Sequence, residues 1–223
     1  MRIALIASLS FVAFCVQSRA QEHLEPAASY FATYGHSHFY REAVRSSLVK
    51  NAASAPALVV CLPSFSEEWA VYLDRAGEDW MVTLVRPAEQ IWGSEAPKTI
   101  EVSKVSRKVS SAQALSIVEI FTSAVNAARY SPDPRLGNDG VAYAFTAFVV
   151  GAGPRSGEIW TPEEGTFTYG LTTLADALRG FALEEVSTEI LGQKIEELQK
   201  EKKAAQPGAT DNPDDAQHLR EDH

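Results

Sequence analysis

The stretch that most constrains the fold is 137–162, which reads GNDGVAYAFTAFVVGAGPRSGEIWTP. A Gly/Asn turn leads into the longest strand-forming run after the first twenty residues, and a Gly/Pro loop and a short second strand follow. The pattern predicts a β-hairpin with a strand over 141–150, a loop over 151–157 and a returning strand ending at Trp160. The loop does not match a dinucleotide fingerprint, because Ser156 replaces the third glycine and a strand follows instead of a helix.

Other strands and helices are predicted before and after this hairpin. Four further strands are predicted over 57–62, 69–73, 79–86 and 99–105. Helices are predicted over 37–50, from a capping box at Ser110 to about Tyr130, and from Thr172 or Thr173 onward. The apolar run 57–62 reads as a central strand, and 74–78 reads as a five-residue turn. We therefore predict an α+β fold, with a mostly antiparallel sheet of about six strands and helices packed on one face.

The first twenty residues have the features of an export signal. Arg2 supplies the positive start, 3–16 is apolar apart from two serines, and Ser18 and Ala20 place small residues where a signal peptidase reads them. Cleavage is predicted before Gln21, and the apolar run is shorter than the roughly 20 residues of a membrane helix. We expect an exported protein, periplasmic or extracellular, without a stable membrane span after cleavage. The alternative is a retained anchor.

Composition predicts how the rest of the chain is divided. After the signal peptide 1–20, a flexible leader is expected over 21–36 and a single α+β domain over 37–183. The segment 184–205 reads as a charged helical extension, either solvated or partner-binding, because its apolar stripe thins as its charge rises. The last segment, 206–223, has almost no apolar residues, which predicts a disordered acidic tail.

Charge and cysteine content exclude several classes of protein. Without 1–20 the chain loses Arg2 and Arg19, which leaves 18 basic against 29 acidic residues and a formal charge of −11. This acidic balance argues against nucleic-acid binding. Cys61 is the only cysteine after the signal, so an intramolecular disulfide is impossible. Its apolar neighbours predict a buried and unreactive thiol.

The positions of the histidines argue against common hydrolase mechanisms. None of the five histidines lies between Phe39 and Gln217, so the predicted core lacks the base that a serine or cysteine nucleophile needs. We predict no catalytic residues and no cofactor. His36 and His38 alternate on an extended segment and are weak candidates for zinc or copper ligands. An exposed polar segment before a helix is the favoured explanation of the same residues.

Tryptophan and its polar neighbours provide the candidate binding residues. Tryptophan is a common interface anchor and a platform on which sugars stack. Trp92, in the irregular stretch EQIWGSEAP, is expected to be exposed. Trp160 lies on a predicted strand. If its side chain is buried it belongs to the core, and if it is exposed it is a candidate binding residue. Glu158 and Arg155, on the same hairpin, are the other two candidate binding residues. The expected partner is a protein or an envelope polymer.

Carboxylates close to tryptophan suggest an alternative function. Glu67 and Glu68 precede Trp69, and Glu158 precedes Trp160. Two carboxylates that flank a sugar are the arrangement used by glycosidases, so the alternative is a carbohydrate-active protein. Solvated charges at the ends of strands explain the same residues without any activity.

Several short motifs resemble those of a family of small, uncharacterised exported bacterial proteins. They are PSFSEEWAV, a helix ending in ARY, NDGVAYAF and IWTP, and the resemblance covers about 57–181. It implies no established activity and no catalytic residues, and it favours a periplasmic location. We therefore expect a non-enzymatic domain that binds another macromolecule, as an inhibitor, an immunity-like protein or an envelope adaptor.

Overall fold

The computed structural model describes residues 23–27, 38–52, 54–130 and 139–205. Within these residues seven strands form one sheet in the order β1-β7-β6-β2-β3-β4-β5. The strands are β1 Glu25–Pro26, β2 Ala57–Pro63, β3 Trp69–Ala76, β4 Asp79–Pro87, β5 Val102–Val109, β6 Val141–Val149 and β7 Gly153–Trp160. Every neighbouring pair is antiparallel, which confirms the predicted α+β class. The predicted signal peptide and acidic tail lie outside the described residues.

In the described segments, four α-helices accompany the sheet. They are α1 His38–Val44, α2 Ser111–Asn126, α3 Phe167–Ala182 and α4 Thr188–Ala205. A π-helical turn, Arg45–Val49, continues α1, and a short 3-10 turn, Pro97–Thr99, precedes β5. In the described parts of the chain, no helix combines the length and the apolarity that a bilayer crossing needs.

Side chains alternate between the two faces of the sheet, and each face builds its own cluster of buried apolar residues. On one face, α2, α3 and α4 pack against strand residues that include Val59, Val71, Val82 and Phe145. On the other, α1 and the π-helical turn pack against Leu58, Val60, Ala70 and Tyr72. We call these the helical face and the opposite face. The prediction that all helices lie on one face is therefore wrong for α1.

The central position of β2 is confirmed, but both predicted loops in the hairpins are shorter than expected. Ala76 pairs with Asp79, so the turn between β3 and β4 is only Gly77-Glu78, with Gly77 at a φ of +66°. Arg75 stacks on the ring of Trp80, its cross-strand partner, at 4.4 Å. Likewise β7 already begins at Gly153, and the predicted loop 151–157 is mostly strand.

The predicted charged extension belongs to the main core. Leu191, Ile195 and Leu198 of α4 are buried at 0%, 3% and 2% exposure in the cluster on the helical face. Close packing against α3 requires Gly170, where a Cβ atom would lie 2.7 Å from Leu198 Cδ1. The expectation of a solvated helix is wrong, because the apolar residues spaced three and four apart suffice to bury one side of α4.

Two other predicted boundaries change in the structure. Leu24, in the predicted flexible leader, is buried against Gly157, and β1 pairs with β7 beside it, so 23–27 is part of the fold.

The N-cap Ser110 of α2 is confirmed, because its hydroxyl accepts a bond from the Gln113 N–H at 3.2 Å. The last predicted helix begins earlier than expected, since Thr166 caps α3 by accepting from the Tyr169 N–H at 3.1 Å.

Candidate functional site at the loop end of the sheet

Two loops meet where β2 and β4 end. The segment 64–68 connects β2 to β3, and 88–101 connects β4 to β5, so both lie at the same end of the sheet. Gln90 Nε2 donates a hydrogen bond to the carbonyl oxygen of Ser64 at 3.3 Å, which ties one loop to the other. Ser64 is itself fixed, since its hydroxyl donates to the Gly140 carbonyl at 2.9 Å. We call this region, with α1 beside it, the loop end.

A fully buried carboxylate organises the loop end. Glu68 has 0% exposure, although a charge taken out of water is costly unless its oxygens are hydrogen-bonded. Its oxygens accept bonds from the Ile91 N–H at 2.7 Å, the Trp92 N–H at 2.9 Å and the Tyr40 hydroxyl at 2.8 Å. No lysine or arginine of the described segments forms an ion pair with it. Glu68 thus fixes one loop to α1 through three hydrogen bonds to its carboxylate oxygens.

The buried carboxylate holds the backbone of a residue whose side chain faces water. Trp92 is 61% exposed, which confirms the expectation of exposure, and its backbone N–H is bound to Glu68. Ile91 next to it is buried, and the Tyr40 ring meets the Trp92 ring edge-on at 5.0 Å between centroids. The Trp92 ring is therefore both exposed and fixed in position, and its role in binding stays a prediction.

A second exposed ring at the loop end was not predicted. Phe65 is 80% exposed and follows directly after Ser64, which is tied to the 88–101 loop through Gln90. The signal in the sequence was an aromatic residue between two serines in the loop PSFS, where there is no apolar neighbour to bury it. Phe65 and Trp92 therefore project from two loops that are hydrogen-bonded to each other.

The other predicted binding residues lie elsewhere, because strand alternation separates them. Arg155 is on the helical face, where it donates a hydrogen bond to Asn126 Oδ1 at 3.2 Å. Glu158 and Trp160 project from the opposite face of the same strand. Trp160 is half-buried beside Gly140, where a Cβ atom would come within 2.9 Å of its ring. The four candidates thus do not form one site.

Glu158 is engaged by its own chain. Arg41 of α1 forms an ion pair with it at 3.1 Å, and both side chains are about one-third exposed. Across the β1–β7 ladder, Glu158 stands directly opposite Glu25. Like charges opposite each other on neighbouring strands are destabilising, and the Arg41 guanidinium offsets that repulsion.

A cluster of polar residues lies under α3 on the helical face, and it contains no activated nucleophile. Cys61 is buried, as predicted, and its burial, with the nearby charge of Asp176, raises the pKa of the thiol to about 12. Tyr143, its cross-strand partner, donates to both oxygens of Asp176 at 3.3 Å, and burial raises the pKa of the Tyr143 hydroxyl. A thiol that stays protonated is a poor nucleophile and a poor metal ligand.

His36 and His38 were the candidate metal ligands. His36 and the side chain of His38 lie outside what the structure describes. In the described segments, no three His, Cys, Asp or Glu side chains group together to hold a metal ion.

Comparisons with protein-family models, with curated proteins and with solved structures found no significant match. The resemblance to exported bacterial proteins therefore stays a prediction, and the functional argument starts from the geometry of the loop end.

Proposed function

We propose that this chain is an exported, non-enzymatic domain that binds another macromolecule through the loop end. The observation that carries the proposal is the fixed and exposed ring of Trp92, whose backbone N–H is bound by the buried carboxylate of Glu68. Tryptophan is enriched among the residues that dominate binding energy at interfaces. Fixing such a residue before binding reduces the entropy lost on association.

The proposed binding surface is small and consists of the loops, not of the sheet. Its exposed rings are Trp92 and Phe65, and Tyr40 supports the first of them from α1. Loops on a rigid scaffold are where binding residues concentrate in proteins. Here the scaffold is the sheet with its two apolar clusters, so a loop change can alter binding while the fold persists.

Site-specific photo-crosslinking in the producing cells tests this proposal. A photoreactive phenylalanine analogue is placed at Phe65, and the matched control places it at Leu115, which is 57% exposed on α2. We expect a discrete crosslinked product at position 65 and none at 115, with the product lost when Trp92→Ala is added. Equal products at both positions, or none at 65, would contradict the proposed function.

Export is the second part of the proposal, and it rests on the sequence of 1–20. The experiment is mass spectrometry of the N-terminal peptide of the protein recovered from an osmotic-shock fraction. We expect the chain to begin at Gln21. Recovery only from the cytoplasm, with an N-terminus at Met1, would contradict export.

A carbohydrate-active protein remains the second candidate, and one observation favours it. Glu25 and Glu158 stand opposite each other, and Trp160 follows two residues later on the same face as Glu158. Paired carboxylates near an aromatic ring are compatible with glycoside hydrolysis. Against it, one oxygen of Glu158 is held by Arg41. If glycan turnover is found, Glu158→Gln should abolish it, and unchanged turnover would remove Glu158 from this candidate.

A further inference from the structure

The loop segments that carry the two exposed rings are acidic, although the loop end as a whole also includes the basic residues Lys98 and Arg41. Segments 63–68 and 88–97 contain four glutamates and no lysine or arginine. One of them, Glu68, is buried and fully hydrogen-bonded. The other three are exposed: Glu67, Glu89 and Glu95. In the sequence, Glu89 and Glu95 each lie three residues from Trp92, and Glu67 lies two residues after Phe65.

An exposed ring among carboxylates attracts cations in two ways. The face of an indole ring is electron-rich and attracts an ammonium or guanidinium group. Carboxylates nearby add a longer-range attraction, which falls as salt is added. Trp92 suits this role because its ring is positioned by the edge of Tyr40 while 61% of the residue faces water.

We propose that the loop end binds a cationic side chain, a lysine or an arginine in an exposed basic segment of a partner protein, over the face of Trp92. This inference rests on the proposed function and adds the chemistry of the partner. The three exposed glutamates set the sign of the charge that is accepted, and the two exposed rings supply the apolar contact. The aliphatic stem of a lysine or an arginine can add apolar contact while its charged end meets Trp92.

A second copy of this chain is a poor occupant, although it carries basic residues on β5. Each of these is already engaged within its own chain. Arg107 donates to the carbonyl oxygens of Phe181 and Val186, at 3.0 Å each. Lys108 forms an ion pair with Asp79 at 2.7 Å, and Lys104 lies 5.4 Å from the centre of the Tyr72 ring. The basic residues of β5 are therefore poorly placed to fill the loop end of a second copy.

The test uses three probes of defined chemistry with the chain from Gln21 to His223. They are a decapeptide of alternating glycine and arginine, a decapeptide of alternating glycine and glutamate, and the neutral sugar chitohexaose. Each is titrated while the indole N–H resonance of Trp92, assigned with Trp92→Phe, is followed by NMR. We expect only the arginine peptide to shift this resonance, and higher salt to weaken its binding.

Charge substitutions separate local recognition from the overall acidity of the protein. The triple variant Glu67→Gln, Glu89→Gln, Glu95→Gln should bind the arginine peptide about fivefold more weakly. The control variant Glu185→Gln, Glu196→Gln, Glu201→Gln changes the net charge equally at exposed positions of the C-terminal region and should bind as the parent does. Equal weakening in both variants would overturn the proposed site.

The outcomes also distinguish this inference from the proposed function. If chitohexaose shifts the Trp92 resonance and the arginine peptide does not, the partner class is wrong while binding at the loop end stands. If the glutamate peptide binds instead, the sign of charge is wrong. If no probe shifts the resonance but the crosslink at position 65 persists, the cationic partner is rejected and the proposed function survives. If the crosslink is absent too, both fail.

Discussion

The two faces of the sheet are built differently, and the difference separates stability from binding. The helical face is covered by three long helices, and its cluster includes Phe121 packed edge-on against Phe145 at 5.1 Å. Among the described residues, the opposite face is covered by α1, the π-helical turn and parts of neighbouring loops such as Ile91. At the edge of that second cluster lies Glu68, the buried carboxylate that holds the Trp92 loop. Apolar burial therefore dominates one face, while the other combines a small core with a polar anchor.

The largest expected effect comes from removing part of the helical face. A chain that ends at Leu183 loses the three buried side chains of α4, each worth about 2 kcal/mol or more. Their sum is close to the whole stability of a typical domain, about 5–15 kcal/mol. We expect this chain to be unfolded by circular dichroism, whereas a chain that ends at Ala205 should be folded. A folded chain ending at Leu183 would show that α4 is dispensable.

A single strand offers a matched pair of phenylalanines, one in the core and one exposed. Phe145 is buried at 0% on the helical face, and Phe148 is 54% exposed on the opposite face. Phe145→Ala should lower the free energy of unfolding by about 3–5 kcal/mol, because it leaves a cavity. Phe148→Ala should change it by less than about 0.5 kcal/mol. Denaturant titration measures both, and similar losses would contradict the assignment of faces.

The sequence predicted the sheet well because strand signals are local. The β3–β4 hairpin followed from two short strand-forming runs around a turn, and the central β2 followed from its continuous apolar run. The features that the sequence did not predict depend on contacts between residues that are far apart in the sequence. Leu24 packs where Gly157 leaves space for it, and α4 lies close to α3 where Gly170 lets Leu198 approach. Neither contact can be read from the neighbouring residues.

The candidate site also depends on contacts between residues that are distant in the sequence. Glu67 and Glu68 are adjacent and look alike in the sequence, yet one is exposed and the other is fully buried. The donors to Glu68 come from residues 23, 24 and 28 positions away. The exposure of Trp92 was predictable from its irregular surroundings, but the carboxylate that fixes it was not.

Substitutions of Glu67 and Glu68 test the role of the buried carboxylate, and the expected loss of stability is intermediate. Glu68→Ala removes the acceptor of three hydrogen bonds and leaves the buried Ile91 N–H without its partner. The free energy of unfolding should fall by about 2–4 kcal/mol. Glu67→Ala, at an exposed position, should change it by less than about 0.5 kcal/mol. If both variants unfold at the same denaturant concentration, Glu68 is not the anchor of the loop end.

A smaller effect is expected from the polar cluster of the helical face. Partial burial raises the pKa of Asp176, against the hydrogen bond from Tyr143 and the charge of Arg179, which act in the opposite direction. Between the unfolded and the raised folded pKa, the folded state binds more protons, so stability falls as pH rises through that range. Asp176→Asn should flatten this slope and raise stability at neutral pH. An unchanged slope in denaturant titrations at several pH values would reject this assignment.

The smallest expected effect on stability is at the residue proposed to matter most for binding. Trp92→Ala removes a ring that is 61% exposed and keeps the backbone N–H that Glu68 holds. Its free energy of unfolding should stay within about 0.5–1 kcal/mol of the parent, since mainly the contact with Tyr40 is lost. The crosslink from position 65 should nevertheless disappear. If Trp92→Ala instead destabilises the chain as much as Glu68→Ala does, the ring is structural and the loop end loses its proposed anchor.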